Sequence, residues 1–278
     1  MITVPNYTDW IGQQEKQQDH IHGARVQALA ATLDVKVNPD AELIPLWHWI
    51  FFNPIHQASE LGHDGHARKG GFLPPINLPR RMWAGGRFKF IKPLNVGDTI
   101  NRVSTIKDIA LKNGKSGDLA FVTVQHDIRG ETGGHWVEEH DIVYRAASET
   151  PWKRPDNPKI DLEPYDWCKH ISPDPVLLFR YSALTFNGHR IHYDREYCQL
   201  EEGYPGLIFH GPLTATLLLE LLRERLPNAE IKEFQFKALQ PLFDHLPLSI
   251  HGRLEGDRVL LWAKDSMLQR AMEAVAWI

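Results

Sequence analysis

The chain has 278 residues, and 42% of them are hydrophobic, which is enough for one large core or two smaller ones. Its 31 basic and 35 acidic residues are spread along the chain and give a formal net charge of −4. This balance excludes a basic surface for nucleic acid and an acidic disordered tail. We therefore expect a globular protein whose partner is a small molecule or another protein.

Targeting and redox signals are weak in this sequence. Residues 1–20 lack the apolar stretch of a signal peptide, and no run approaches the about 18 apolar residues of a membrane span. The two cysteines, Cys168 and Cys198, are too few for a disulfide framework and lack CxxC spacing. These features predict a cytoplasmic protein with reduced thiols and no contact with a membrane.

The first half of the chain reads as irregular sequence followed by strands. Residues 70–86, GGFLPPINLPRRMWAGG, are rich in proline and glycine, so a long regular helix is not expected there. Three β-rich runs follow at residues 99–111, 119–128 and 136–146, separated by the turn clusters KNGKSGD and RGETGG. This pattern predicts an antiparallel meander.

A proline-rich and charged segment, residues 148–166, predicts a linker between an N-terminal half, residues 1–147, and a C-terminal half, residues 167–278. The second half repeats the β-rich scheme in three shorter runs, at residues 248–254, 258–265 and 271–278.

A leucine-rich segment, residues 210–228, predicts the main helix of the second half. Pro212 suits a first helical turn, and Pro227-Asn228 supplies a stop. Apolar residues cover most of the helix circumference: Leu213, Ala215, Leu217, Leu218, Leu219, Leu221 and Leu222. Such a helix must be almost fully buried, and a curved antiparallel sheet wrapped around it would bury it.

The two halves share a short motif. RFKFIKPL, from Arg87, and QFKALQPL, from Gln235, both contain Phe-Lys-x-(Ile or Leu)-x-Pro-Leu, displaced by 148 positions. Each copy is an alternating strand that ends at Pro-Leu, which indicates a duplicated unit. Two such units side by side would form one continuous β-layer. The lack of a helix signal in residues 70–86 suggests that the second half kept the chemistry and the first became a degenerate partner wall.

The segment TFNGHRIHYD, residues 185–194, gathers side chains that can carry chemistry: Asn187, His189, Arg190, His192 and Asp194. A metal site would use His189 and His192, three positions apart, with His210 as a third ligand. Gly188 disfavours the helix that this spacing needs, and no cysteine or carboxylate pair completes the set. Metal is therefore the less favoured interpretation.

Covalent catalysis has less support. The sequence has no GxSxG elbow, Cys168 has no evident partner, and Ser182 lies in a segment that reads as plain helix. Other histidines are expected to be exposed or hydrogen-bonded residues without a chemical role: His20, His22, His126, His135, His245 and His251. The segment GHDGH, residues 62–66, is expected to be a polar loop.

Acid–base chemistry fits this segment better. Histidines, an amide and a carboxylate can hold a water, accept its proton and return one to carbon near neutral pH. The downstream segment YPGLIFHGP leads into the apolar helix, whose first N–H groups could stabilise an enolate oxygen. Gly206 and Gly211 would let a ligand approach the backbone. A polar turn packed on a buried helix remains the alternative.

LTFNGHRIHYD followed by YPGLIFHGPL resembles the hydratase signature of the MaoC-like enzymes, which add water to acyl thioesters or remove it. The family pattern is Leu-Ser-Gly-Asp-x-Asn-Pro-(Ile or Leu)-His. It places the family's histidine on His192, its helix-start glycine on Gly211, its aspartate on Asn187 and its asparagine on His189. Asparagine cannot be a general base, so the resemblance leaves His192 as the base, steadied by Asp194. Asn187 and His189 would position the water.

The form FNxHRIHYD of this pattern, together with ELGHDGH and FLPPINLPRRMWAGG, is similar to a narrower group, the FAS1-like dehydratases. The similarity extends from about Trp47 to Trp277 of this chain. The resemblance implies an α+β double hot dog fold, in which two antiparallel sheets each wrap a central helix and join into one β-layer. It also implies an enoyl-CoA hydratase that converts a branched C5 dicarboxylic acyl-CoA, itaconyl-CoA or mesaconyl-C4-CoA, to citramalyl-CoA. No metal or redox cofactor is implied, and coenzyme A enters as part of the substrate.

A dicarboxylic substrate needs a cation for its free carboxylate, and Arg80, Arg81 and Arg190 are the candidates. Arg80 and Arg81 could equally be a solvated or interface pair. His210 would lie beside the bound thioester. Two other functions stay open: a 3-hydroxyacyl thioester dehydratase of fatty acyl chains, and a non-catalytic acyl-CoA binding protein, which the loss of a carboxylate at Asn187 suggests. The chain could act as a monomer or a homo-oligomer.

Overall fold

A computed structural model describes residues 7–38, 41–114, 117–146, 151–154 and 160–278. Within these ranges ten strands form one antiparallel sheet in the order β1-β3-β4-β5-β2-β7-β10-β9-β8-β6. The strands are β1 (Gln14–His20), β2 (Arg80–Lys92), β3 (Thr99–Gly114), β4 (Gly117–Gly130), β5 (His135–Arg145), β6 (Trp167–Ile171), β7 (Glu233–Ala238), β8 (Leu248–Glu255), β9 (Arg258–Lys264) and β10 (Arg270–Trp277). The predicted meander of the first half is confirmed as β3, β4 and β5, and the three later runs are confirmed as β8, β9 and β10.

In the described part of the chain four α-helices accompany the sheet: α1 (Gly23–Leu33), α2 (Pro175–Thr185), α3 (Arg195–Leu200) and α4 (Gly211–Arg225). There are also short 3-10 turns at Thr8–Trp10, Trp47–Ile50, Ala58–Glu60 and Arg190–His192. No helix in the described ranges is both long enough and apolar enough to cross a bilayer.

The two repeated strands pair with each other at the centre of the sheet. In the β2–β7 pair Arg87 lies opposite Gln235, and Phe88 lies opposite Phe234. Arg87 and Gln235 are equivalent positions of the repeated motif, so the two strands meet about a local two-fold axis. The rings of Phe88, Phe234 and Phe236 pack together beside this axis. The predicted continuous β-layer is therefore confirmed, and its midpoint is the repeat itself.

Helix α4 is the element that the C-terminal half of the sheet encloses. It packs against β8, β9 and β10, and its leucines Leu213, Leu218 and Leu222 are fully buried. Pro212 lies in its first turn, as predicted from the sequence. The helix begins at Gly211 because Pro212 fixes a helical φ and has no N–H that would need a partner.

The N-terminal half encloses a much shorter element. The 3-10 turn Trp47–Ile50 is buried, and Nε1 of Trp47 donates to the carboxylate of Glu220 in α4 over 2.9 Å. The side chains of His48 and Trp49 both hydrogen-bond Glu138 of β5. Residues 70–79 contain no helix, in agreement with the expected asymmetry of the halves.

The proposed domain boundaries remain a prediction. In the predicted linker, residues 148–166, residues 148–150 and 155–159 lie outside the described residues. The remaining linker residues form neither helix nor strand, and Trp152 packs on Phe243. Both cysteines are free thiols, and buried Cys198 donates to the carbonyl of Gly206.

Candidate active site

The motif TFNGHRIHYD forms the connection between α2 and α3. Helix α2 ends at Thr185, Phe186 takes a left-handed φ of 51°, and the chain then makes a 3-10 turn over Arg190–His192. The side-chain oxygen of Asn187 accepts a hydrogen bond from the backbone N–H of His189 over 3.0 Å. His189 and His192 therefore lie on a tight turn, and the helical spacing that a metal site needs is not present.

His192 is a buried neutral imidazole with one nitrogen available. Its Nδ1 donates to the carbonyl of Ile208 over 2.8 Å, which leaves Nε2 with a lone pair. Burial lowers the pKa of His192 to about 4, and the bond to Ile208 opposes this shift only in part. The ring is therefore uncharged at neutral pH and can accept a proton at Nε2.

The ring of His210 stacks on the ring of His192. The two rings stack with centroids 3.7 Å apart and an interplanar angle of 17°. Nε2 of His210 hydrogen-bonds the hydroxyl of Ser182 over 2.8 Å, and its Nδ1 is buried without a partner among the described residues. Burial holds the pKa of His210 well below its usual value. In the less favoured metal interpretation His189, His192 and His210 would share an ion, and the structure instead stacks two of these rings face to face.

Open space lies in front of the first turn of α4. His210 is the N-cap of this helix, and a Cβ built on Gly211 would meet no atom within 4 Å. The first N–H groups of a helix have no partner within the helix and carry the positive end of its dipole. The stacked imidazoles thus stand beside a helix terminus that an oxygen atom can approach.

His189 extends the group of histidines away from α4. Its ring is perpendicular to His192 at 5.6 Å and lies 4.1 Å from the ring of His66. His189 is 8% exposed, and burial holds its pKa far below the usual range. The site therefore contains four neighbouring imidazoles: His66, His189, His192 and His210.

The loop at residues 62–66 was predicted to be a plain polar loop, and the structure places it in the site. Nδ1 of His66 donates to the carboxylate of Asp64 over 2.9 Å, and the carbonyl of Asp64 accepts from the N–H of Arg190 over 3.0 Å. The hydrogen bond to His66 holds the pKa of Asp64 well below its usual value, although burial acts in the opposite direction. Asp64 and His66 are therefore site residues that the sequence did not predict.

Two glycines allow this loop to dock on the motif. A Cβ on Gly65 would lie 1.9 Å from the carbonyl oxygen of Gly188, and a Cβ on Gly188 would lie 2.8 Å from the carbonyl oxygen of Gly65. Gly65 also has a φ of +87°, a conformation that other residues rarely adopt. No pattern in the sequence links these two glycines, so only the tertiary contact shows that the two segments form one site.

Replacing Gly65 by alanine is expected to separate the loop from the motif. We expect a loss of about 1–3 kcal/mol of stability, measured by thermal unfolding, because a backbone atom must move. We expect a fall of about 10²-fold in turnover, since small displacements of catalytic groups have large effects. Gly12→Ala is the matched control, because Gly12 has a φ of +88° and open space around its Cβ position. Equal effects of the two substitutions would contradict a role for the contact.

Asp194 does not support His192, which corrects the prediction. Its carboxylate caps α3 by accepting from the N–H of Tyr197 over 3.0 Å, and it pairs with Arg190 over 2.8 Å. The guanidinium of Arg190 also lies 4.2 Å from the ring centroid of Tyr197. The support of His192 comes from the carbonyl of Ile208 instead. The charge of Arg190 is partly compensated by Asp194, and its predicted role in binding the substrate carboxylate stays a prediction.

Arg80 and Arg81 differ sharply although they are adjacent in β2. Arg80 pairs with Glu202 over 3.1 Å and donates to the carbonyl of the same residue. Arg80 is therefore not available to a substrate carboxylate. Arg81 forms no ion pair in the described ranges, and its charge contributes to lowering the pKa of His66 and of His189. The side chain of Arg81 also interacts with the hydroxyl of Tyr144. Among the three predicted arginines, Arg81 is the one without a carboxylate partner in the described part of the chain.

One group of side chains has a composition found in metal sites. Ligand-type atoms of Asp64, His66 and His189 all lie within 4.8 Å of one another. The hydrogen bond between Asp64 and His66 engages one carboxylate oxygen and one ring nitrogen with each other. We therefore interpret this group as a hydrogen-bonded acid–base pair beside a neutral imidazole.

A comparison with protein families agrees with this arrangement. Residues 46–244, which include the motif, the docked loop and the start of α4, match the family model described as hydroxyacyl-thioester dehydratase type 2. The chain belongs to this family. The predicted resemblance is confirmed.

Individual relatives extend the match to the whole chain. Mesaconyl-C(4)-CoA hydratase of Chloroflexus aurantiacus is 46% identical over 269 residues, which cover 95% of this chain and 94% of that protein. Among solved structures, a MaoC-like dehydratase aligns with a TM-score of 0.70 at 15% identity, covering 96% of this chain and 98% of its own. A Mycobacterium tuberculosis protein with a double hotdog fold aligns with a TM-score of 0.57 at 14% identity, covering 98% of each chain. The double hot dog fold is therefore confirmed.

Proposed function

We propose that this protein is an enoyl-CoA hydratase that adds water to mesaconyl-C4-CoA and forms citramalyl-CoA. The observation that carries the proposal is the free Nε2 of neutral His192 beside the open start of α4 at Gly211. The 46% identity to a mesaconyl-C(4)-CoA hydratase supports the substrate. In this proposal the protein works in the cytoplasm, with coenzyme A as part of the substrate.

His192 is the general base of the proposed reaction. Its Nε2 takes a proton from water while the water oxygen bonds to the β-carbon of the alkene. Burial keeps the ring neutral at pH 7, so the lone pair is available without prior deprotonation. Nδ1 stays on the carbonyl of Ile208 and fixes the orientation of the ring.

Asn187 and His189 hold the water in this proposal. The amide oxygen of Asn187 already accepts from the backbone of His189, so its NH₂ group remains to donate to the water oxygen. A donor at this position leaves the lone pair of His192 as the acceptor of the water proton. Asparagine thus keeps the orienting function of the family's aspartate and loses its basicity.

The first turn of α4 stabilises the negative charge that develops on the substrate. When water adds to the β-carbon, the alkene electrons move to the α-carbon and the thioester oxygen. Gly211 lies at the helix start with open space at its Cβ position, and its N–H, which has no partner within the helix, can donate to this oxygen. His210, which stacks on His192, lies on one side of the proposed thioester position.

This mechanism favours one of the two C5 substrates. In mesaconyl-C4-CoA the alkene is conjugated with the thioester, so the charge reaches the thioester oxygen. In itaconyl-CoA the alkene is separated from the thioester by a methylene group. A donor at the thioester oxygen therefore does not stabilise the charge that develops when water adds to this alkene. Mesaconyl-C4-CoA also carries its carboxylate on the β-carbon, next to the base, which suits Arg81 beside His66 and His189.

The alternative is a 3-hydroxyacyl thioester dehydratase of fatty acyl chains, which the description of the matching family favours. The same residues would then run the reverse reaction. Such an enzyme needs no cation for a carboxylate on the β-carbon, so a role of Arg81 in substrate binding separates the two proposals.

Steady-state kinetics with mesaconyl-C4-CoA, itaconyl-CoA and crotonyl-CoA, measured side by side, test the proposal. We expect the highest kcat/KM for mesaconyl-C4-CoA, and the same rates with EDTA present, because no proposed step needs a metal ion. A preference for crotonyl-CoA would favour the fatty acyl dehydratase. Tight binding of all three thioesters without turnover would identify a binding protein.

A further inference from the structure

The hydratase motif of this chain has lost its carboxylate, and a different carboxylate lies in the site. Asn187 occupies the aspartate position of the motif, and Asp194 is engaged by Arg190 and the N-terminus of α3. Asp64, from the loop at residues 62–66, interacts electrostatically with both His66 and His189. The negative charge of the site therefore comes from the N-terminal half.

Asp64 fixes the ring of His66 through two contacts. One carboxylate oxygen accepts from Nδ1 of His66 over 2.9 Å, and the other accepts from the backbone N–H of His66 over 3.1 Å. Nε2 is then the free nitrogen of His66, and no hydrogen bond to it is found in the described part of the chain. The His66 ring lies 4.1 Å from His189, which in turn lies 5.6 Å from His192.

This placement is built into the fold. The glycine pair Gly65 and Gly188 allows the loop to touch the motif backbone, and Arg190 donates to two loop carbonyls, those of Asp64 and His63. The loop is also closed on itself by a hydrogen bond from the N–H of Gly62 to the carbonyl of His66 over 2.7 Å.

We infer that His66 is a second catalytic proton-transfer group of this site and that Asp64 is its positioning residue, replacing the carboxylate missing from the motif. This inference rests on the proposed hydration. It assigns chemistry to the half of the chain that was expected to be a degenerate wall.

The two imidazoles divide the proton transfers. His192 Nε2 gains the proton that water loses as the C–O bond forms and the alkene electron pair moves to the α-carbon and thioester oxygen. The α-carbon then takes a proton from Nε2–H of protonated His66, and the electron pair returns from the oxygen. Asp64 stabilises the imidazolium of His66 before this transfer. The proton gained by His192 passes back to His66 by way of His189, which restores both groups.

The charges around His66 determine how its role depends on pH. Burial and the charge of Arg81 lower the pKa of His66, whereas the hydrogen bond and charge of Asp64 raise it. His189 and His192 are the other titratable groups that interact with it. Because the reactive form is protonated, the rate falls as the pH rises above this pKa. Removing the carboxylate of Asp64 lowers the pKa of His66 further. The fall of the rate at high pH, the alkaline limb of the pH–rate profile, therefore moves to lower pH.

The test is the pH dependence of kcat for Asp64→Asn and His66→Gln with mesaconyl-C4-CoA. We expect kcat to fall about 10²-fold in each, with KM within about threefold of the wild type. The alkaline limb of Asp64→Asn is expected at lower pH, and Asp64→Glu is expected to restore part of kcat. Asp127→Asn is the matched control, because Asp127 pairs with His135 over 3.2 Å on the sheet, outside the site.

Three results would overturn the inference. An unchanged kcat in both variants would exclude His66 from proton transfer. A loss of kcat that is equal at every pH and accompanied by a lower Tm would show that Asp64 and His66 have only a structural role. If Asp64→Asn does not fold, the same comparison is made with His66→Gln. A wild-type protein without turnover of any of the three thioesters would overturn the hydration as well, whereas wild-type turnover with unaffected variants overturns this inference alone.

Discussion

Replacing His192 by alanine is expected to lower kcat about 10²- to 10⁴-fold, the range typical of a general base, while the KM for the thioester changes little. The effect falls on kcat because, in the proposed mechanism, Nε2 of His192 contacts the attacking water and the start of α4 holds the thioester oxygen. Burial lowers the pKa of His192 to about 4, so the wild-type rate is expected to rise with pH through about 4. This acid limb should disappear in the variant.

The matched control for this substitution is His170→Ala. His170 lies exposed on the edge strand β6 and has no contact with the four imidazoles of the site. Thermal unfolding of both variants shows whether the stacked pair of His192 and His210 matters for stability. If His192→Ala retained wild-type kcat at every pH, the proposed base would be wrong and the loop histidine His66 would be the next candidate.

Local patterns predicted the elements that carry strong periodicity. The leucine-rich segment at 210–228 became α4, Gly211–Arg225, because apolar residues on most of its surface require enclosure by a sheet. The Phe-Lys-x-(Ile or Leu)-x-Pro-Leu repeat became the two central strands that pair with each other. Strand β1, Gln14–His20, gave no comparable signal, because its sequence QEKQQDH is polar throughout and it forms by pairing with β3.

Only those residues of the candidate site that lie close together in the chain could be predicted from the sequence. His192, Asn187 and Gly211 come from two short motifs close in the chain. Asn187 lies on the same turn as His192, and the His192 ring stacks on His210, next to Gly211 at the start of α4. Asp64 and His66 come from more than a hundred residues earlier, and only the Gly65–Gly188 contact brings them in. No periodicity records such a contact, because it depends on the tertiary packing of two loops.

The error on Asp194 had a local cause that the sequence does contain. Asp194 precedes Arg195–Leu200, and an aspartate just before a helix is a preferred N-cap. One carboxylate oxygen of Asp194 caps the helix and the other pairs with Arg190 four residues earlier, and no hydrogen bond from His192 to either is found among the described residues. Helix-start rules applied to residues 194–200 would therefore have excluded Asp194 from the acid–base group.

Replacing Arg81 by glutamine is expected to remove the preference for a dicarboxylic substrate. A charge-assisted pair between a guanidinium and a carboxylate contributes about 3 kcal/mol, so kcat/KM for mesaconyl-C4-CoA should fall about 10²-fold. The rate with crotonyl-CoA, which has no such carboxylate, should stay within about threefold of its wild-type value. Steady-state kinetics with both thioesters, at a pH where both rates are constant, provide the measurement.

The adjacent Arg80→Gln variant distinguishes recognition from a general change in charge. Arg80 lies next to Arg81 in β2, but its guanidinium is bound by Glu202. We expect this variant to change the two rates by the same factor, since Arg80 has no charge to offer a substrate. Loss of Arg81 also removes one cause of the low pKa of His66, which should move the alkaline limb of the profile to higher pH. If Arg81→Gln lowered both rates equally, Arg81 would act through the histidines alone, and the carboxylate of the substrate would have to be bound elsewhere.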